Sequence, residues 1–200
     1  MATDYRRLVA ELLAFYDFKG KTIISVGAGG GQLIEFARET AKVLALDNDA
    51  GALEALRENL RIAGLEDRFA PILGDFFQVE LKGDVVYFEF SLHEMRDPGV
   101  AVERGLRMAP AVVVFDHWPG SEWSYITGED NKVAASWTAL RRLSVQKEEM
   151  HEAVQSFNNY EELFQKVKGQ GEPSLSRIAR YRGQTGIRIP MSYGLALISG

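Results

Sequence analysis

The chain reads as an α/β protein built on a mostly parallel sheet with helices on both faces. Three observations predict it. Short β-branched runs alternate with stretches of helical spacing from Thr22 to Phe115, which is the pattern of successive strand–helix–strand units. The runs at residues 22–26, 84–90 and 111–115 are nearly continuous in apolar side chains, as strands covered on both faces must be. A glycine cluster, Gly27 to Gly31, interrupts the first run just before helical spacing resumes.

The elements follow in order. Residues 4–18 carry Leu8, Leu12 and Phe15 beside Val9, Leu13 and Tyr16, spacings that make an amphipathic helix. Gly20 ends it, and residues 22–26 form the first strand. Leu33, Ile34 and Ala37 predict a helix over residues 32–40, and residues 42–46 a second strand. Leu53, Leu56 and Leu60 mark the next helix, which Gly64 ends, and residues 69–73 and 84–90 are further strands. Asp97 followed by Pro98 is a helix start, with the carboxylate as cap and proline in the first turn. Pro110 stops that helix before the aliphatic strand 111–115.

Beyond Asp116 the pattern changes. Residues 117–128 read as a loop rich in Trp, Ser, Pro and Gly, and Val133, Trp137 and Leu140 as a helix face. The charged stretch 147–152, with His151, reads as solvated. Asn159 and Glu162 have the spacing of a capped helix start. Residues 175–182 and 187–198, around Gly183 to Gly186, are expected to pair as an antiparallel hairpin. The expected organisation is one domain over residues 1–200: an N-terminal helix (4–18), a core (22–116), an insertion (117–170) and a terminal hairpin (174–199).

Composition excludes several classes. At 46% hydrophobic and 26% charged residues, the 200-residue chain has a globular mix rather than a disordered one. No cysteine is present, which removes disulfides, thiolate metal sites and cysteine nucleophiles. The net charge of −5 leads to an expectation of no nucleic-acid partner, since phosphate binding rests on clustered Lys and Arg. Met1 to Arg7 leads into no apolar signal core, and no run approaches the ~20 apolar residues of a membrane helix. A cytoplasmic monomer or homodimer without membrane contact is expected.

The glycine loop points to a ligand. Glycine lets backbone approach a bound group closely, and the following helix start offers free N–H groups. As a G-x-G-x-x-G dinucleotide fingerprint the loop fails at its last position, Gln32. Asp47 ends the second strand twenty residues beyond Gly27, and Asp75 follows the third. Either acid alone reads more readily as a helix cap or a surface-loop acid than as a ligand contact. Together with the glycine loop they occupy the ends of three successive strands, which line one crevice in a parallel sheet.

This pattern, from Thr22 to Phe115, resembles the class I S-adenosylmethionine-dependent methyltransferases. Their acid-x-G-x-G-x-G motif matches Ser25-Val26-Gly27-Ala28-Gly29-Gly30-Gly31, with serine where the acid stands. That departure leaves the anchoring of the loop to another carboxylate or to a water held by Ser25. The resemblance implies a Rossmann-like three-layer sandwich whose seven-stranded, mostly parallel sheet ends in an antiparallel hairpin. It also implies S-adenosyl-L-methionine as methyl donor and S-adenosyl-L-homocysteine as product. The implied cofactor contacts are Gly27, Ala28, Gly29, Gly31, Asp47, Asn48, Asp75, Phe76, Glu89 and Phe90.

Methyl transfer needs an aligned nucleophile and, for many acceptors, a base. His93 and His117 both follow strand ends and are the candidate catalytic residues. Ser91, Trp118, Trp123 and Tyr125 are the candidate acceptor pocket. No metal is expected, because His93 and His117 lack a firm third ligand. The segment after residue 88 lacks the N/D-P-P-aromatic signature of amino-methyltransferases acting on adenine or glutamine. Its histidine and Asp97-Pro98 instead resemble the small-molecule branch, including relatives of quinone-biosynthesis enzymes. The expected reaction is methyl transfer to a small organic acceptor. The alternatives are a non-catalytic S-adenosylmethionine sensor and a nicotinamide-dependent oxidoreductase, the latter disfavoured by Gln32 and the hairpin.

Overall fold

The computed structural model describes residues 4–200; Met1 to Thr3, part of the stretch read for a targeting signal, lie outside them. Five parallel strands form the core: β1 (Thr22–Val26), β2 (Lys42–Asp47), β3 (Phe69–Leu73), β4 (Val85–Glu89) and β5 (Ala111–His117). The helices between them are α1 (Tyr5–Phe15, ahead of β1), α2 (Ala50–Ala63) and α3 (Pro98–Met108). Then follow α4 (Glu122–Thr127), α5 (Asp130–Leu140), β6 (Val145–Asn159), α6 (Tyr160–Val167), α7 (Glu172–Ile178) and β7 (Thr185–Ser199). The seven strands lie in the order β3-β2-β1-β4-β5-β7-β6, with β7 antiparallel to both β5 and β6.

Alternation along each strand divides the core into two layers, because successive side chains point to opposite faces. Ile23, Val85, Tyr87, Val113 and Phe115 pack with Leu8, Leu12, Leu53 and Leu56 of α1 and α2. Ile24, Val86, Phe88, Val112 and Val114 pack with Val102 of α3 and with Val133 and Trp137 of α5. Helix starts follow the expected caps. Asp97 accepts from the Val100 N–H at 3.1 Å, and Asn159 accepts from the Glu162 N–H at 3.0 Å. Gly64 takes the left-handed cap position of α2.

Four local expectations change. Residues 175–182 are helical rather than a strand, lying in α7 and the 3-10 turn Ala179–Tyr181. The antiparallel pair is present, but its first arm is β6, joined to β7 through α6 and α7. The charged stretch 147–152 is therefore strand, with half-buried residues alternating with exposed ones. The region read as a loop at 117–128 starts in β5 and contains α4. Over residues 32–40 the helix is a 3-10 segment, Ile34–Glu39.

Candidate active site

The carboxyl ends of β1, β2, β3 and β4 open onto a crevice of about 420 Å³. Gly27, Asp47, Asn48, Asp75, Phe76, Phe90 and Ser91 line it together. Gly27 is required by geometry, since its φ is +65° and a Cβ there would lie 2.6 Å from the Ser91 Cβ. The Ser91 hydroxyl donates to the Val26 carbonyl at 2.6 Å, tying the end of β4 to the end of β1. Asp47 accepts from the Gly29 N–H at 2.8 Å and from the Asp49 N–H at 2.9 Å. Of the candidate loop residues, Ala28, Gly29 and Gly31 stand beside the crevice rather than on its wall.

The carboxyl bonded to the backbone beyond the glycine loop comes from Glu89 of β4, while position 25 of β1 holds a serine. Ser25 is buried within β1. The Glu89 carboxyl accepts from the Leu33 N–H and holds the far side of the glycine loop, while burial pushes its pKa up to about 8. Phe90, next in sequence, is the one non-glycine residue with positive φ (48°) among the described residues. Such strain persists where surrounding structure enforces it. Here the Phe90 N–H donates to the Phe115 carbonyl at 2.7 Å, and its ring lies 4.9 Å from Phe115 and 4.7 Å from His117.

A second cavity of about 250 Å³ abuts the crevice, with Phe90 and Glu94 on both walls. His93, His117, Trp123, Glu129 and Gln155 also line it. Its organising residue is Asp116, buried at the end of β5. Asp116 accepts from the backbone N–H groups of His93 (2.9 Å) and His117 (2.8 Å), and its Oδ1 lies 2.6 Å from His93 Nδ1. That bond places the His93 proton on Nδ1 and leaves Nε2 facing the cavity, 3.4 Å from Glu94 and 3.9 Å from Glu129. Burial pushes the His93 pKa down, but hydrogen bonding to Asp116 and the charges of Asp116, Glu129 and Glu94 outweigh it and hold the pKa above the usual value. His117 goes the other way: burial lowers its pKa to about 4, and the ring is neutral.

The expected pocket residues separate. Trp123 lines the cavity and Ser91 the crevice. Trp118 packs on Trp137 at 4.5 Å, under Arg141, in the opposite core layer. Tyr125 is exposed beneath Arg177. His151 stacks on Tyr193, between Glu11 and Glu149. Asp116, Glu94 and Glu129 were not among the expected site residues. Asp116 stands in the sequence directly before a candidate histidine, a signal that could have found it; Glu129 has none, because α4 separates it from β5.

The sequence pattern of the RNA cap guanine-N2 methyltransferases matches residues 20–156. The chain belongs to that family. As a member of the RNA cap guanine-N2 methyltransferase family it is an S-adenosyl-L-methionine-dependent methyltransferase. Solved structures agree on the Rossmann-like fold. A candidate methyltransferase of Bacillus halodurans is 16% identical with a TM-score of 0.67, covering 94% of this chain and 96% of its own. The YcgJ protein of Bacillus subtilis is 13% identical with a TM-score of 0.66, covering 96% of each chain. An S-adenosylmethionine-dependent methyltransferase of Aquifex aeolicus is 16% identical with a TM-score of 0.57, covering 98% and 90%. No curated protein matches the chain.

The family match corrects one expectation. Its description names RNA, against the expectation of no nucleic-acid partner. The inference from net charge failed because a whole-chain sum of −5 says little about the local groups that meet a nucleic acid. Two cations border the two spaces, Lys166 on the cavity wall and Arg96 on the crevice wall. Among the described residues no helix is long and apolar enough to cross a membrane.

Proposed function

We propose that the chain methylates a single flat group of nucleobase size held in the cavity beside His93, with the methyl donor in the adjoining crevice. The observation that carries this reading is the shared wall: Phe90 and Glu94 border both spaces, so a group seated at His93 lies next to a ligand in the crevice. S-adenosyl-L-methionine supplies the electrophilic methyl group when bound. The crevice residues fit its adenosyl part. Asp47 accepts two backbone N–H groups, and a carboxylate has about four lone-pair sites, so two remain for a ribose diol. Phe76 and Phe77 give an apolar wall, and Asp75 accepts from the Phe77 N–H at 2.8 Å, which fixes its carboxylate at the rim. Glu89 does not line the crevice; it is buried against the Leu33 N–H beyond the glycine loop and would act on the methionine part through that loop.

On the acceptor side, Trp123 and Phe90 offer surfaces against which a flat group can stack. Nucleophile alignment is the main task, and the cluster of His93, Glu94 and Glu129 takes the proton the acceptor loses. A guanine amine of RNA is the acceptor that the family description supports. A second reading, a small organic hydroxyl or amine, is favoured by one observation: β4 leads into Glu89-Phe90-Ser91 where an N/D-P-P-aromatic run would hold an exocyclic amine.

The test is transfer of labelled methyl to capped RNA oligonucleotides and, separately, to a panel of phenols, quinols and amines. Label in RNA supports the first reading and label only in small molecules the second. His93→Gln should lower the rate about 10²–10⁴-fold while S-adenosylhomocysteine affinity is unchanged. Full activity of that variant on the identified acceptor would remove His93 from the reaction.

A further inference from the structure

We propose that His93 Nε2, Glu94, Glu129 and His117 Nε2 form a binding site for one divalent first-row transition ion. Imidazole and carboxylate together suit zinc, manganese or ferrous iron. This goes beyond the methyl-transfer reading, since ion binding requires neither cofactor nor acceptor; an ion at His93 Nε2 occupies the lone pair which that reading uses as base, so the two describe the ion-loaded and the ion-free site.

The spacing carries the inference. Ligand atoms of His93, Glu94 and Glu129 all lie within 4.8 Å of one another. His93 Nε2 is 3.4 Å from Glu94 Oε1 and 3.9 Å from Glu129 Oε2, and His117 Nε2 is 3.9 Å from the same Glu129 oxygen. N–H···O hydrogen bonds run to about 3.2 Å, so these gaps are too long for direct bonding. A tetrahedral ion with bonds of about 2.0–2.1 Å holds its ligands roughly 3.3 Å apart, so the ion would draw together ligand atoms that now lie as much as 4.8 Å apart by rotation of the two glutamate side chains.

Orientation supplies the second argument. Asp116 fixes the Nδ1 proton of His93 and thereby aims the Nε2 lone pair at two carboxylates. Two anions and a lone pair then converge on one point, which calls for positive charge between them. The carboxylates are themselves held. Lys132 donates to Glu94 Oε2 at 2.7 Å, leaving Oε1 toward the histidine, and the Thr127 hydroxyl donates to Glu129 at 2.8 Å. A ligating histidine that gives its other N–H to a carboxylate, with its companion ligands hydrogen-bonded in turn, is the recurrent outer shell of protein metal sites. His117 adds a second imidazole whose Nδ1 is buried without a hydrogen-bond partner among the described residues.

The experiment is calorimetric titration of the chelator-treated full chain with zinc chloride and, separately, manganese chloride. The expected result is one ion per chain for at least one of the two. Glu129→Gln and His93→Ala should each weaken binding at least about 100-fold, and Asp116→Asn about 10–100-fold. Glu94→Gln, at a half-exposed side chain, tests the site without disturbing the core, and the far-UV circular dichroism and thermal unfolding of each variant report its folding. His151→Ala should bind as the parent does, because His151 with Glu11 and Glu149 is a separate cluster. No binding by the parent at millimolar ion overturns the proposal. So does binding that survives in both Glu94→Gln and Glu129→Gln, or that is lost in His151→Ala alone. A failed methyl-transfer assay with these ion results intact would strike the function proposal and leave the site standing.

Discussion

Replacing Gly27 by alanine tests how tightly the ends of β1 and β4 are locked together. The new methyl meets two costs. A φ of +65° is left-handed, which costs an L-residue about 1–2 kcal/mol. The Cβ would also lie 2.6 Å from the Ser91 Cβ, and overpacking of this kind costs about 1–3 kcal/mol. The sum predicts a loss of roughly 2–5 kcal/mol in urea unfolding, read from the shift in midpoint at constant m-value. The parts can be separated. Ser91→Gly removes the atom in the way and, with it, the hydroxyl bond to Val26, at a cost of about 1 kcal/mol. In the Ser91→Gly background, Gly27→Ala should cost only its conformational part of about 1–2 kcal/mol. A single-variant loss below about 0.5 kcal/mol, or an equal loss in both backgrounds, would refute the claim that Ser91 forbids a side chain at position 27.

S-adenosylhomocysteine should raise the Tm by mass action while NADH leaves it unchanged, a comparison made by differential scanning fluorimetry. Asp47→Ala should weaken S-adenosylhomocysteine by about 1–3 kcal/mol in calorimetry; unchanged affinity would exclude the ribose contact. Glu89 makes stability fall as pH rises. Its folded pKa of about 8 lies above its ordinary 4.5, so between those values the unfolded chain has released a proton that the folded chain keeps. Glu89→Gln should therefore match the parent near pH 4.5 and exceed its stability at pH 8, as chemical unfolding at the two pH values will show.

The parallel core was legible because its signals are local. Strand 111–115 is aliphatic throughout, and Asp97-Pro98 marks a cap within one turn. The C-terminal part was less so. β6 pairs only along one edge, so its outward residues need not be apolar, and Glu148, Met150 and Glu152 sit exposed beside half-buried neighbours. Such a strand shows charge alternation instead of a hydrophobic run. Residues 175–182 misled in the opposite sense: Leu175, Ile178 and Tyr181 recur every third residue, a helical spacing that strand alternation does not fit, and the hairpin expectation rested on the glycines between 183 and 186. In the site, Asp47, Asp75 and His93 were readable from their positions after strands. The partnership of His93 with Asp116 and Glu129 was not, since it brings together residues 23 and 36 positions apart. Trp118 and Trp123, five residues apart, end in opposite core layers because a strand end and a helix start intervene.

The position of β7 between β5 and β6 also governs when the molecule can assemble. Residues 185–199 provide the neighbour on which β6 pairs and the strand that backs β5, and Met191 forms part of the cavity wall. During synthesis the first five strands can dock as their crossovers complete, but β6 must wait for a partner some forty residues downstream. Until then β5 presents an unpaired edge ending in Asp116 and His117, and such edges invite pairing with other chains. A ribosome-stalled chain ending at Arg182 should therefore be protected from proteolysis over β1 to β4 while β6 is cut freely. Site assembly would then be the last step of folding, timed by translation and not by the stability of the parallel core.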